Sequence, residues 1–120
     1  MKLKHMLASL ALALAAACAQ NDAAPEMAAP SETALVAEGR HIAEIYCATC
    51  HAIGAEGESR HALAPPFRTF SRDYPVTALE EAFAEGILVG HPDMPEFAFE
   101  PAQIDALLAY LQSIQASQGG

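Results

Sequence analysis

The chain has 120 residues, no tryptophan, and 15 acidic against 6 basic side chains, for a formal net charge of −9. That length suits one small domain, and the acidic balance argues against a nucleic-acid partner, which calls for clustered lysine and arginine. Hydrophobic residues make up 52%, but many sit in the first twenty positions. The remainder can bury only a modest core and calls for a staple such as a disulfide, a metal or a cofactor.

Residues 1–19 read as an export signal. Lys2 and Lys4 form a positive start, Met6 to Ala17 an apolar run, and small residues follow. The run is too short to span a bilayer, which takes roughly 20 residues. Two cleavage points fit. Ala17-Cys18-Ala19 before Gln20 makes an A-x-A site that discards Cys18. Ala15-Ala16-Ala17-Cys18 makes a loose lipobox that leaves Cys18 lipidated, although Ala15 stands where such boxes usually carry leucine. The expected location is the periplasm, either soluble or lipid-anchored through Cys18, with membrane contact only in the second case. Loss of the signal removes both lysines and leaves Arg40, Arg60, Arg68 and Arg72 against all 15 acids. Such a surface suits a basic or mainly apolar patch on a partner. Cys47 and Cys50 are then the cysteines left in the domain, and in an oxidising compartment two such thiols need a purpose.

Residues 20–31 are Ala-, Pro- and polar-rich and read as a flexible linker. The domain proper is expected over 32–116. A first helix is predicted from Glu32 to Tyr46, capped by Ser31, with Leu35, Gly39, Ile42 and Tyr46 on one face. Residues 52–74 show no sustained period and read as a long loop, of the kind that is functional or wrapped on something. A second helix is predicted from Pro75 to Glu85, ended by Gly86, with Glu80, Glu81 and Glu85 as a solvated face. A turn-rich segment, Gly90 to Pro95, comes next. The last helix opens at Pro101 and carries Ile104, Leu107, Leu108 and Leu111 at i, i+3, i+4 and i+7. Residues 117–120 should fray. Nothing reads as a strand, so the fold class is all-α, with about three main helices and long loops.

The chemistry is concentrated in Cys47-Ala48-Thr49-Cys50-His51. A structural zinc site usually takes four protein ligands, and no second cysteine pair is present. A thioredoxin-like dithiol needs a βαβ setting, and no strand is predicted. Covalent attachment of haem c needs what the segment offers. Two thiols one helical turn apart can meet the two vinyl groups on one haem edge, and the following histidine can turn onto the iron.

Met94 is the candidate for the sixth iron position. It lies between Pro92 and Pro95 in a polar loop, an odd place for a gap-filling methionine, and a thioether held against the open haem face explains it better. His91 is the competing ligand. Its plainer reading, like that of His41 and His61, is a solvated surface histidine.

The chain resembles the class I, single-haem c-type cytochromes of the short bacterial kind. The resemblance runs from about Gly39 to Tyr110. It is carried by Cys47-Ala48-Thr49-Cys50-His51, by Ala64-Pro65-Pro66-Phe67, by Met94-Pro95 and by the final Ala109-Tyr110-Leu111. It implies a cytochrome c-like fold around one covalently bound haem. It further implies that Gly39 and Tyr110 lie where the terminal helices cross, that the Pro65 carbonyl accepts a hydrogen bond from the His51 ring, and that Phe67 packs on the haem. Two positions depart from the family pattern: Ala43 replaces a frequent aromatic in the first helix, and Ala64 replaces the common glycine before Pro65.

A haem would supply the core that so small a chain lacks, gripped by Phe67, Phe83, Ile87, Leu107, Leu108 and Leu111. Arg60, Arg68, Arg72 and Tyr74 are the candidate donors for its propionates, with solvated side chains as the alternative. With His51 and Met94 both on the iron, no place remains for a substrate. The expected function is electron transfer by a monomeric carrier rather than enzyme catalysis, with a dehydrogenase, a quinol-oxidising complex or a terminal acceptor as redox partners. The alternatives are an electron-transfer subunit within a dehydrogenase or oxidase complex, and an open-site haem enzyme or gas sensor.

Overall fold

Ser31 caps the first helix. Its side chain accepts the Ala34 backbone N–H at 3.2 Å, and α1 then runs over Glu32–Tyr46. These are the bounds that the periodicity predicts, because a cap and an apolar stripe are both local properties. The computed structural model describes residues 27–86 and 91–115. The segment expected to be an export signal, Cys18, Ile87 and the last five residues lie outside the described residues, so the expectations placed on them are not addressed by the fold.

The segment predicted as one loop, 52–74, contains a 3₁₀-helix over Phe67–Arg72. Its start is set by Pro66, in extended conformation, whose carbonyl accepts the Thr69 hydroxyl at 2.7 Å. Its other anchor is tertiary. The Gln115 side chain accepts from the Ser71 N–H at 2.8 Å and donates to the Phe67 carbonyl at 2.9 Å. A clamp reaching across more than forty residues leaves no periodicity to read, which is why the sequence showed only a loop.

The second helix is shorter than expected. Val76–Ala78 form a 3₁₀ turn, and the α-helical part, α2, covers Leu79–Glu85. Pro75 and the β-branched Val76 and Thr77 have low α propensity, which delays the start. Gly86, at φ 94°, ends α2 in a backbone conformation that glycine adopts without strain. The last helix, α3, spans Pro101–Ser113 and opens with a reciprocal cap. Glu100 accepts the Gln103 N–H, while the Gln103 side chain accepts the Glu100 N–H at 3.0 Å.

α1 and α3 pack face to face and form the main interhelical contact. Gly39 sits at the crossing. A Cβ there would overlap the Ala106 carbonyl and come within 2.8 Å of the Tyr110 Cβ. Ala43, the departure from the family pattern, is fully enclosed in the same contact region. Ile42, Ile104, Leu107 and Leu111 complete this part of the core. The Tyr110 hydroxyl donates to the Ile53 carbonyl at 2.9 Å and ties the crossing to the loop after the cysteines. Among the described residues there is no strand, so the fold is all-α.

Candidate functional site

α1 ends at Tyr46, and the chain turns directly into the two cysteines. The N–H groups of Cys47 and Ala48 both reach the Ala43 carbonyl, at 2.9 and 3.0 Å. The N–H groups of Cys50 and His51 both reach the Cys47 carbonyl, at 3.1 and 2.9 Å. This tight turn holds the two free thiols and the imidazole at one end of α1.

The turn forms part of the wall of a cleft. Cys47, Cys50, His51, Pro65, Phe67, Tyr74, Phe83 and Met94 all line it, as do Tyr46, Phe70, Leu79, Phe97 and Phe99. Aromatic rings dominate. Tyr46 meets Phe97 and Phe99 edge-on, with ring centroids 5.6 and 5.4 Å apart, and Phe83 meets Phe99 at 5.9 Å. Phe67 lies 5.2 Å from the His51 ring and 5.0 Å from Phe70. The rim carries Leu63, His61, His91 and Asp93.

His51 is held in one orientation. Its Nδ1 lies 2.8 Å from the Pro65 carbonyl oxygen. A carbonyl only accepts, so Nδ1 carries the proton and donates, and Nε2 keeps its lone pair free for a metal ion. Burial pushes the Cys47 thiol up to about 11, since an apolar wall disfavours the thiolate charge. A thioether carries no charge, so this wall suits a cysteine that ends as a thioether. An apolar cleft, two thiols one turn apart and an oriented imidazole with a free nitrogen together fit a covalently attached haem. Cys47 and Cys50 would hold the ring and His51 the iron. Among the described residues no three Cys, His, Asp or Glu side chains are grouped so as to hold a metal ion.

Other expected residues lie elsewhere. Leu107, Leu108 and Leu111 are buried in the helix-packing core and do not line the cleft. The α3 stripe packs on α1, with smaller contacts to α2 and the Val76–Ala78 turn. Arg60, Arg68 and Arg72 also lie off the cleft wall. Arg60 and Arg72 are exposed, whereas Arg68 is half-buried, with an Nη1 that is enclosed and has no hydrogen-bond partner among the described residues. Tyr74, the fourth candidate donor, is on the wall, and burial raises its phenol above the ordinary value, with the neighbouring Asp73 adding to the rise. Sequence reasoning missed Tyr46, Phe70, Leu79, Phe97 and Phe99 as wall residues. Phe70 stands three positions after Phe67, the 3₁₀ period, which was the available clue. The Phe97 and Phe99 alternation was the other.

No helix among the described residues is long and apolar enough to cross a membrane. Comparison with curated proteins and with solved structures returns no match to either. A family model described as cytochrome c matches residues 36–115, two thirds of the chain and all of the cleft. The chain belongs to the cytochrome c family, and with it come a covalently bound haem c and haem-based electron transfer.

Proposed function

We propose that the protein is an exported, periplasmic electron carrier whose haem iron is ligated by His51 and Met94. The observation that carries this reading is that Met94 lines the same cleft as Cys47, Cys50 and His51. The bound haem supplies one-electron Fe(III)/Fe(II) chemistry. The chain's own residues do the rest. His51 is oriented by the Pro65 carbonyl, so its Nε2 needs no rearrangement between the two states. The Met94 thioether is a soft ligand that favours the ferrous form and raises the potential. The aromatic wall excludes water and disfavours the extra charge of the ferric form.

With His51 and Met94 holding the iron, no place would remain for a substrate, and the protein would pass electrons between a dehydrogenase or quinol-oxidising complex and a terminal acceptor. It works as a monomer, either diffusing or held through a lipidated Cys18. The test is the visible spectrum of the ferric and ferrous protein, followed by carbon monoxide on the ferrous form. A weak long-wavelength sulfur band and a carbon monoxide uptake that is slow, limited by release of the Met94 thioether, support the carrier. Immediate binding of carbon monoxide overturns Met94 ligation and favours an open-site haem enzyme or gas sensor. A partner that stays bound through purification assigns the chain to a dehydrogenase or oxidase complex instead.

A further inference from the structure

The rim of the cleft holds a link between two segments far apart in sequence. His61 follows the cysteine turn and Asp93 precedes Met94. The His61 Nε2 lies 3.3 Å from Asp93 Oδ2. The direction of this bond is set by a second one. The Leu63 N–H donates to His61 Nδ1 at 3.2 Å, so Nδ1 is an acceptor and the ring proton sits on Nε2, facing the carboxylate. The backbone of His61 is anchored as well, its N–H donating to the Cys50 carbonyl at 3.1 Å. On the far side, the Asp93 N–H donates to His91 Nδ1 and the Met94 N–H to the His91 carbonyl, at 3.3 and 3.1 Å. The His91 ring in turn meets the His61 ring edge-on, with centroids 5.4 Å apart. A continuous chain of contacts therefore runs from the Cys50 turn, through His61, to the turn that carries Met94.

We infer that His61 is a positioning residue for Met94, acting through Asp93 as a clasp across the mouth of the cleft; this rests on the reading of Met94 as the sixth iron ligand. The side chains of His61 and Asp93 are 34% and 66% exposed. A pair so exposed adds little to global stability and shifts an equilibrium by no more than about five-fold. Local opening of a loop is governed by few contacts, so a shift of that size matters there while leaving global unfolding nearly untouched. The clasp closes the loop that presents the thioether, and the population with Met94 off the iron falls accordingly.

The experiment uses the haem-loaded protein and its His61→Phe and His61→Gln variants. Phenylalanine keeps a ring against His91 and removes the donor. Glutamine keeps an N–H that can reach Asp93. The rate of carbon monoxide uptake by the ferrous form reads the open population, and the urea midpoint reads global stability. His61→Phe is expected to raise the rate about two- to five-fold, with an unchanged midpoint, and His61→Gln to restore most of the wild-type rate. Asp93→Ala tests the same pair from the other side. It should give a similar rise that does not add to that of His61→Phe in the double variant, and it serves if the phenylalanine variant fails to load haem. Wild-type rates in both His61→Phe and Asp93→Ala overturn the clasp alone, as does an equal rise in the phenylalanine and glutamine variants. A wild-type protein that lacks the sulfur band, with a spectrum unchanged by Met94→Ala, overturns Met94 ligation and the clasp together.

Discussion

Gly39 on α1 and Ala106 on α3 meet backbone to backbone, with no room for even a methyl group between the Gly39 Cα and the Ala106 carbonyl. The obstacle is main chain and cannot rotate away, so Gly39→Ala must push the two helices apart. Overpacking of a tight core typically costs about 1–3 kcal/mol, and the upper end applies here because the Tyr110 Cβ is crowded too. Urea unfolding of the haem-loaded protein measures this. A loss under about 0.5 kcal/mol, the range of ordinary surface changes, contradicts the close crossing.

Tyr110 adds a polar lock to the same crossing. Its hydroxyl donates to the Ile53 carbonyl, and Tyr110→Phe is expected to cost about 1 kcal/mol. Burial raises the phenol above its ordinary value, with Arg40 opposing and Glu44 adding to the rise. The folded state thus favours the protonated form. That contribution is complete below the unfolded value of about 10 and is lost as the pH rises through the raised folded value. Wild-type stability should fall over this alkaline window, and the fall should be smaller in Tyr110→Phe. Parallel stability curves for the two proteins would show that Tyr110 does not titrate in this way.

Phe67 joins the cleft to the interior. It is 4% exposed, touches the His51 and Phe70 rings, and gives its carbonyl to Gln115. Phe67→Ala should cost about 3–5 kcal/mol and loosen the His51 ring, visible as broadened haem-region signals in NMR spectra. A small stability change would mean that the surrounding aromatics collapse into the gap.

Aromatic rings dominate the cleft wall, and a covalently held haem would cover them. Replacing Cys47 and Cys50 with Ala removes the covalent anchor, and the resulting chain should lose much of its helicity and its cooperative thermal transition. A native-like far-ultraviolet spectrum without haem would show that the α1–α3 contact suffices on its own.

The acidic balance bears on partners. With 15 acidic against 6 basic side chains, electron transfer to a basic partner should slow as salt rises from about 10 to 150 mM, where screening shortens to about 8 Å. Stopped-flow rates at several salt concentrations check this, and a flat response indicates an apolar docking patch instead.

Local chemistry was readable in the sequence. Ser31 as a cap, Pro101 as a helix opener, the α1 stripe and the cysteine–histidine turn each depend on neighbours within one or two turns, and each was placed by spacing alone. The resemblance carried by Pro65 and Tyr110 extended this to the hydrogen bond on His51 and to the helix crossing. What an apolar stripe packs against is a different matter. Leu107, Leu108 and Leu111 form an α3 stripe that could meet either a cofactor or a helix, and only the folded chain shows it buried in one cluster with Ile42 and Ala43 of α1. The same holds for Phe70, Phe97 and Phe99, which become one wall because Tyr46 and Phe83 bring their segments together. Gln115 reaching back to Phe67 and His61 reaching across to Asp93 have no periodic signature at all. Spacing determines which side chains share a face, whereas which faces meet is decided by packing across the whole domain.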